Sequence, residues 1–254
     1  MNFEDLREYI PGDNIRDIDW KASSRNRSLL VRRYIAEKKH NIMLIFDTGR
    51  KMKGDSLYGE NKKKLALMAG GTIGYLATKN GDFVGAMFNN NGLIHFEQFR
   101  LGMDNLEFVM AAYDGMDNMG DNCDITKTLE LLLKHINRKM IIFLITDSEG
   151  LNAIDDKLLD KLRYRNDVLS VCISDAMLSG GNAYQVEKES YIPDFILKNK
   201  ELGRMEASLK DFREKCNEDK LEHHAIASVT IDNEDTLVER IVELLEKHKD
   251  ANNR

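Results

Sequence analysis

Two aspartates stand directly after apolar runs of the sequence, at positions where side chains can do chemistry. Asp47 follows the run 41–46, and Asp147 follows the run 141–146. In an open α/β sheet, ligands bind beyond the carboxyl ends of the strands, so on neighbouring strands these two carboxylates would face each other across one crevice. Their oxygens suit a hard divalent cation such as Mg²⁺. The alternative is that each aspartate only caps the following loop or helix by accepting backbone N–H bonds.

The elements that would position these carboxylates are strands and helices in alternation. Continuous apolar runs indicate buried strands, and apolar residues at helical spacing indicate helices packed on them. The predicted strands are 29–36, 41–46, 83–88, 93–99, 140–145, 168–173 and 225–230. The predicted helices are 60–80, 104–113, 125–136 and 155–163, one through Met205, Leu209, Phe212 and Cys216, and one through Leu237, Ile241, Leu244 and Leu245. This order predicts the α/β class with a doubly wound, mostly parallel sheet and helices on both faces.

Local signals complete this organisation. The pair Asn91-Gly92 tolerates the positive φ angles of a tight hairpin between the third and fourth predicted strands. The stretch 174–199 lacks clear periodicity and is expected to form a long excursion with one short edge strand. No linker rich in Pro, Gly or Ser divides the rest of the chain. We therefore predict an N-terminal β extension, residues 1–40, followed by one α/β domain, residues 41–250.

Composition narrows the class of protein. The chain has 254 residues, of which 42% are hydrophobic, which suffices for a real core. No apolar run reaches the 18 or more residues of a membrane span, and the N-terminus lacks the features of a signal peptide. Three cysteines that are far apart and form no CxxC pair fit a reducing cytoplasm.

The distribution of charge is more informative than its sum. A formal net charge of -6 argues against a dedicated nucleic-acid binder. One early segment is nonetheless strongly basic, with Lys21, Arg25, Arg27, Arg32, Arg33, Lys38 and Lys39. This segment is either a docking face for an acidic partner or a solvated pair of strands whose charges protect an exposed edge.

The order of these elements resembles a known α/β domain. An aspartate, Asp47, ends a first buried strand, and a helix, a hairpin and the segment 120–124 follow before the next helix. Thr146-Asp147 then ends the next buried strand. This arrangement resembles the von Willebrand factor A domain, which implies that the sheet carries a metal-ion-dependent adhesion site at the ends of these strands.

The residues that the resemblance assigns to that metal site are only partly suitable. Asp47 and Asp147 match the two aspartates of the family, but Gly49 and Lys51 replace its two serines and Cys123 replaces its threonine. Glycine supplies no oxygen, a lysine ammonium repels a divalent ion, and a neutral thiol is a poor ligand for Mg²⁺. We therefore predict a degenerate site filled by water or by Lys51, which would pair with Asp47 or Asp147. No cofactor is expected, although Mg²⁺ held by the two aspartates and water stays open.

The N-terminal segment carries a longer signature. It contains Arg7, Tyr9, Pro11, Gly12, Asp13, Arg16, Asp19, Trp20, Lys21, Arg25 and Arg32. This string resembles the signature of the domain-of-unknown-function 58 family of bacterial proteins. The resemblance implies relatives with two membrane helices upstream and genes beside MoxR-type AAA+ ATPases. Because the chain starts almost at the signature, we expect a short soluble member or the soluble part of a longer one.

Two roles are possible for the signature residues. Pro11-Gly12 favours a tight turn. Arg16, Asp19, Lys21 and Arg25 form either a structural ion-pair network or a surface that a partner recognises. We expect Trp20 to pack against the protein, because buried tryptophan is the commoner case, with partner contact as the alternative.

Two functions follow from these observations. The first is a non-catalytic interaction module that couples to a MoxR-type AAA+ ATPase or to its client protein, as the resemblance implies. The second is a metal-dependent hydrolase or phosphoryl-transfer enzyme that uses Asp47 and Asp147 as ligands. The further oxygen donors near them in sequence are Asp55, Asp121, Asp124 and Glu149. Phosphate-loop, nucleophile-elbow and zinc-protease motifs are missing from the sequence, so we expect no enzymatic activity.

Overall fold

The computed structural model describes residues 2–35, 39–116, 123–176, 184–185, 190–191 and 200–252. The chain divides into two compact units, Met1–Lys39 and His40–Arg254. In the smaller unit, β1 (Asn2–Glu8) pairs antiparallel with β2 (Leu30–Ile35). A single 3₁₀ turn (Ile15–Asp17) and a short helix, α1 (Trp20–Asn26), lie between them in sequence. The sequence predicts β2 but not β1, because the strand NFEDLRE contains no β-branched residue.

The larger unit is built on a six-stranded sheet. Its strands are β3 (Asn41–Phe46), β4 (Phe83–Asn90), β5 (Leu93–Arg100), β6 (Ile141–Asp147), β7 (Asp167–Ile173) and β10 (Ala227–Ile231). Their spatial order is β10-β7-β6-β3-β4-β5, and every neighbouring pair is parallel except β4 with β5. A separate antiparallel pair consists of β8 (Tyr184–Gln185) and β9 (Ser190–Tyr191). The predicted doubly wound α/β architecture is confirmed.

Helices cover both faces of this sheet. One face carries α2 (Lys62–Lys79), α3 (Met103–Asp114) and α8 (Glu234–Asn252), and the other carries α4 (Ile125–His135), α5 (Ser148–Ala153), α6 (Asp156–Arg163) and α7 (Lys200–His223). Successive residues of β3 enter different cores: Leu44 and Phe46 lie with α2, whereas Met43 and Ile45 lie with α4 and α6. This alternation explains why the strand is apolar without interruption.

Two glycine-dependent features support the sheet. The hairpin between β4 and β5 turns at Asn91 and Gly92, whose φ angles are 50° and 92°, as the sequence predicts. In α2, a Cβ at Gly70 would lie under 3.0 Å from the ring of Phe46. The helix therefore reaches its close position on β3 because Gly70 has no side chain.

Helix α7 lies where the sequence predicts a helix, but its orientation differs. Met205, Leu209 and Phe212 are 64%, 57% and 67% exposed, and Cys216 is exposed as well. The face turned inward instead includes polar side chains, of which Asn217 donates to the carbonyl oxygen of Ser148 at 2.9 Å. The apolar face from which the sequence predicts this helix is therefore not the face that packs on the larger unit.

Two further predictions concern the stretch 174–199 and membrane-spanning segments. The excursion expected over 174–199 lies outside the described residues, apart from 174–176, β8 and β9. Within the parts of the chain that the structure describes, no helix is both long enough and apolar enough to cross a membrane.

Candidate functional site

The structure places Asp47 and Asp147 side by side at the carboxyl edge of the sheet. β3 and β6 are parallel neighbours, with Phe46 opposite Ile145, and the backbone N–H of Asp47 donates to the Ile145 oxygen at 2.9 Å. Both aspartates are buried. The crevice predicted from the strand ends therefore exists, but it is closed to solvent at these two side chains.

Both carboxylate oxygens of Asp47 accept hydrogen bonds from the protein. Oδ1 accepts from the N–H of Gly49 at 2.8 Å, and Oδ2 accepts from the hydroxyl of Thr146 at 2.5 Å. Gly150 lies directly over this contact, because a Cβ there would be under 3.0 Å from Asp47 Oδ2 and Thr146 Oγ1. No room is left between Gly150 and this carboxyl for a further ligand.

Asp147 caps a helix and also pairs with a buried lysine. Its Oδ1 accepts from the N–H groups of Glu149 at 3.1 Å and Gly150 at 2.8 Å, at the start of α5. Its Oδ2 accepts from the ammonium of Lys62 at 2.8 Å. Lys62 also pairs with Asp175, which follows β7. Asp147 therefore caps α5, as the capping alternative predicts, and in addition pairs with Lys62.

Lys62 is the residue that reasoning from the sequence missed. It is the first residue of α2 and is only 3% exposed, although lysine is almost never fully buried unless it is paired. A signal was present in the sequence: Lys62 stands three and seven positions before Leu65 and Ala69, which lie on the buried face of α2. A lysine on the core face of a helix indicates a buried acidic partner.

Lys51 does not fill the site, so of the two predicted occupants, water and Lys51, the second is wrong. It pairs with Glu149, and both side chains are about half exposed, at 47% and 51%. The reason is local, since Lys51 belongs to a 3₁₀ turn, Arg50–Lys53, whose buried residue is Met52. Burying Met52 leaves the Lys51 side chain at the surface, where it meets Glu149 rather than Asp47 or Asp147.

Cys123 lies near the site but is engaged elsewhere. A Cβ at Gly49 would lie 3.8 Å from the Cys123 carbonyl oxygen, so the two loops are adjacent. The Cys123 sulfur is buried and accepts from the backbone N–H of Asn91 in the β4–β5 turn at 3.1 Å. Asp124 caps α4 by accepting from the N–H of Thr126 at 2.8 Å. Asp121 lies outside the described residues.

These contacts do not fit a divalent cation. All four carboxylate oxygens of Asp47 and Asp147 accept hydrogen bonds from protein groups, and an ammonium already lies 2.8 Å from Asp147. Among the described residues, no three His, Cys, Asp or Glu side chains are grouped so that they could hold a metal. Lys62 supplies a positive charge at the crevice, and that ammonium would repel a metal ion bound beside it.

The electrostatics separate the two aspartates. Burial and the neighbouring Asp147 charge raise the pKa of Asp47 to about 6. Burial also opposes ionisation of Asp147, but Lys62 and the backbone N–H groups outweigh it and lower the pKa of Asp147. Burial disfavours the charged form of Lys62, yet Asp147 and Asp175 raise the pKa of Lys62 overall. The Lys62–Asp147 pair thus stays ionised, and Asp47 is the member that titrates.

The N-terminal unit uses part of its signature to fix its own fold. Arg7 donates twice to Asp13, at 2.8 Å and 2.6 Å, and Asp13 accepts from the N–H of Ile10 at 2.9 Å across the Pro11-Gly12 turn. Asp19 caps α1 at Ala22 N and pairs with Arg32 at 3.0 Å. Arg7, Asp13, Asp19 and Arg32 therefore form structural ion pairs, and for Asp19 this is one of the two roles that the sequence leaves open.

Four other signature residues, Arg16, Trp20, Lys21 and Arg25, are exposed. Trp20 is 64% exposed, so the prediction that it packs against the protein is wrong. It begins α1, and the buried residue of that helix is Ser23, whose hydroxyl accepts from the N–H of Leu30. Arg16, Lys21 and Arg25 are also exposed and form no ion pair with the described residues.

Comparison with known proteins identifies the family. The family model described as "Protein of unknown function DUF58" matches residues 5–179. The chain belongs to the DUF58 family. Two relatives of this DUF58 chain are the uncharacterized proteins Rv1480 of Mycobacterium tuberculosis and Mb1516 of Mycobacterium bovis, each 24% identical over 172 residues. The match covers 66% of this chain and 53% of each relative, so the chain spans about half the length of the curated relatives it matches.

Solved structures similar to the DUF58 chain have low sequence identity to it. The hypothetical protein BatB of Bacteroides thetaiotaomicron is 12% identical, with 83% of this chain and 99% of that chain covered and a TM-score of 0.46. A von Willebrand factor type A structure from Catenulispora acidiphila is 12% identical, with 86% and 44% covered and a TM-score of 0.45. The α/β class of the DUF58 chain is established by the order and directions of its strands.

The matched stretch of the DUF58 model includes the signature, the crevice and Lys62. It ends at residue 179, before α7, β10 and α8. Strand β10 and the two C-terminal helices therefore lie beyond the stretch that the family model matches.

Proposed function

We propose that this DUF58 chain is a non-catalytic protein-interaction module and that its N-terminal unit is the contact surface. The observation that carries the proposal is the 64% exposure of Trp20 next in sequence to the exposed Lys21. Tryptophan and arginine are enriched among the residues that dominate binding energy at protein interfaces. An exposed tryptophan on a basic surface of this kind fits an acidic partner with an apolar pocket.

The rest of the N-terminal unit supports this role by holding that surface in place. The Arg7–Asp13 and Asp19–Arg32 pairs fix the turn before α1 and the start of α1. A preorganised surface binds better because less conformational freedom is lost on association. The outward charges of Arg16, Lys21 and Arg25 would steer an acidic surface toward it.

For the partner, we propose an AAA+ ATPase of MoxR type or the client protein of that ATPase. The support is the family resemblance of the signature together with the basic character of the exposed residues. We further propose a cytoplasmic location, which is supported by the three cysteines, which lie far apart in the sequence and form no CxxC pair.

The crevice supports a non-catalytic role rather than hydrolysis or phosphoryl transfer. A metal-dependent hydrolase needs carboxylates with free oxygens, whereas the oxygens of Asp47 and Asp147 accept from Gly49, Thr146, Gly150 and Lys62. Glu149 is paired with Lys51, and Asp124 caps α4. No observation favours the enzymatic alternative.

The test is a binding measurement with purified MoxR-type ATPase from the source organism. We expect Trp20→Ala to weaken binding by about 30-fold, which corresponds to about 2 kcal/mol at an interface hot spot. The matched control is Tyr164→Ala, which removes an aromatic side chain that is 83% exposed on the larger unit and should leave binding unchanged.

The charged residues are tested in the same assay. The triple change Arg16→Glu, Lys21→Glu and Arg25→Glu should slow association, with an effect that shrinks as salt rises. The control reverses three exposed lysines of the larger unit, Lys127, Lys134 and Lys157. An equal loss of binding in both triple variants would refute the proposed surface. If the unaltered chain does not bind the ATPase, the proposed partner is refuted.

A further inference from the structure

The outer face of α7 carries a continuous apolar stripe, made of Met205, Leu209, Phe212 and Cys216 and called here the α7 stripe. All four residues are exposed. Their spacing is four, three and four residues, which is the spacing of the seam of a coiled coil. Single exposed apolar residues are ordinary on protein surfaces, but a row over three turns of one helix marks an interaction site.

The helix cannot bury the α7 stripe by rotating in place. Its other face is held by side chains that donate to the rest of the larger unit. Lys210 donates to the oxygen of Asp175 at 3.1 Å, Asn217 to that of Ser148 at 2.9 Å, and Lys220 to that of Leu151 at 3.3 Å. Rotation would break these bonds, so the stripe is available for a partner and not for the sheet.

We propose that the α7 stripe packs antiparallel against the α7 stripe of a second copy of this chain. In this register Leu209 packs against Phe212 of the second copy, and Met205 packs against Cys216 of the second copy. Each of these pairs then occurs twice around one two-fold axis, as a closed symmetric dimer requires. The proposal does not depend on the partner proposed for the N-terminal unit.

Size and charge favour the antiparallel arrangement. It places the large Phe212 opposite Leu209 and the flexible Met205 opposite the small Cys216, so the layers have similar volumes, which close packing needs. A parallel dimer would place Phe212 against Phe212 and leave a thin layer at Cys216. On one flank of the stripe, the antiparallel register also sets Arg213 opposite Glu206 of the second copy, which is a favourable pairing across the seam.

The stripe is short, so the dimer should be reversible. A stable interface buries about 800 Å² per partner, and three turns of helix offer less. We therefore expect a monomer–dimer equilibrium that shifts with protein concentration in the micromolar range or above, measured by analytical ultracentrifugation. A chain that remains monomeric up to about 1 mM would overturn the proposal.

Substitutions in the stripe should abolish the dimer without unfolding the chain. Leu209→Asp with Phe212→Asp replaces two exposed side chains, so we expect an unchanged unfolding transition and a monomer at every concentration. The matched control is Val238→Asp with Val242→Asp, which alters two exposed apolar residues four positions apart on α8. The control should dimerise like the unaltered chain, and a dimer that survives the α7 substitutions would contradict the interface.

Oxidative cross-linking distinguishes the two registers. Cys216 is exposed, whereas Cys123 is buried. In the antiparallel register, mild oxidation of the unaltered chain forms no disulfide dimer, because the two Cys216 residues lie at opposite ends of the seam. Met205→Cys should then give a cross-linked dimer that disappears when Cys216→Ser is added, since a disulfide needs Cα atoms within about 7 Å. A disulfide dimer of the unaltered chain through Cys216 would instead indicate the parallel register and refute the proposal.

Discussion

Charged side chains serve opposite purposes at the Asp47–Asp147 crevice and at the N-terminal surface around Trp20. In the crevice, Lys62 is buried and its ammonium pairs with Asp147 and Asp175. At the N-terminal surface, Arg16, Lys21 and Arg25 are exposed beside an exposed tryptophan. At the place where the sequence suggests chemistry, the carboxylates are therefore engaged by groups of the protein, whereas the tryptophan that the sequence predicts to be packed is exposed. The comparison shows that a basic side chain far away in the sequence can engage a carboxylate whose position alone suggests a metal ligand.

The largest effect should come from removing the buried lysine. We expect Lys62→Met to lower the free energy of unfolding by about 3–5 kcal/mol, because it leaves the buried Asp147 without its counter-charge. Denaturant unfolding at pH 7 measures this change. The control, Lys51→Met, removes a half-exposed ion pair and should change stability by about 0–1 kcal/mol.

A second variant distinguishes the loss of the charge pair from a loss of packing at Lys62. Adding Asp147→Asn to Lys62→Met removes the stranded charge and should recover part of the lost stability. If the double variant is no more stable than Lys62→Met, the charge pair is not what holds the crevice together.

The next effect is the pH dependence caused by Asp47. Its folded pKa of about 6 lies above the unfolded value of 3.8, so between these values the folded chain binds more protons than the unfolded chain. Stability from this group is therefore present below about pH 4 and is lost as the pH rises through 6, by up to about 3 kcal/mol.

Asp47→Asn tests this dependence directly. Denaturant unfolding is measured for the variant and for the unaltered chain at pH 4.5 and at pH 7. The stability of the variant relative to the unaltered chain should be higher at pH 7 than at pH 4.5. A difference between the two proteins that stays constant with pH would show that Asp47 does not titrate in this range.

A smaller effect is expected from filling the space above Asp47. Gly150→Ala places a Cβ under 3.0 Å from Asp47 Oδ2 and Thr146 Oγ1, so the loop must move, at about 1–3 kcal/mol. Gly71→Ala is the matched control, because its Cβ would meet only Met110 Sδ at 3.7 Å. The control lies within α2 and should be neutral or stabilising, by up to about 1 kcal/mol. Equal effects of the two alanines would argue against close packing at the crevice.

The smallest effect on stability belongs to Trp20. Because its side chain is 64% exposed, Trp20→Ala should change the free energy of unfolding by no more than about 0.5 kcal/mol. Thermal or denaturant unfolding checks this value. A loss of several kcal/mol would mean that Trp20 is a packing residue after all, and the contrast between the two regions would fail.

The sequence predicts those parts of the fold that depend on local pattern. Apolar runs such as 41–46 indicate buried strands and the pair Asn91-Gly92 indicates a tight turn, so the sheet and its hairpin follow from these patterns. The neighbouring positions of Asp47 and Asp147 follow from the parallel order of their strands.

What the sequence does not predict depends on distant partners. Lys62 lies 85 positions from Asp147, and no local pattern shows that α2 aims this side chain at the end of β6. The orientation of α7 is decided by carbonyl oxygens in other segments, such as that of Ser148, which accept from Asn217. The exposure of Trp20 likewise depends on how little of α1 is covered by its own unit.

Lys62 also makes the positive charge at the carboxyl edge of the sheet independent of the ions in solution. A positive charge that is covalently part of the chain cannot dissociate, be chelated or be outcompeted by another ion. Its local concentration is set by the polypeptide and is the same in every folded molecule. The carboxyl edge of the sheet therefore carries its stabilising charge from the moment the chain folds, whatever the ionic supply around it.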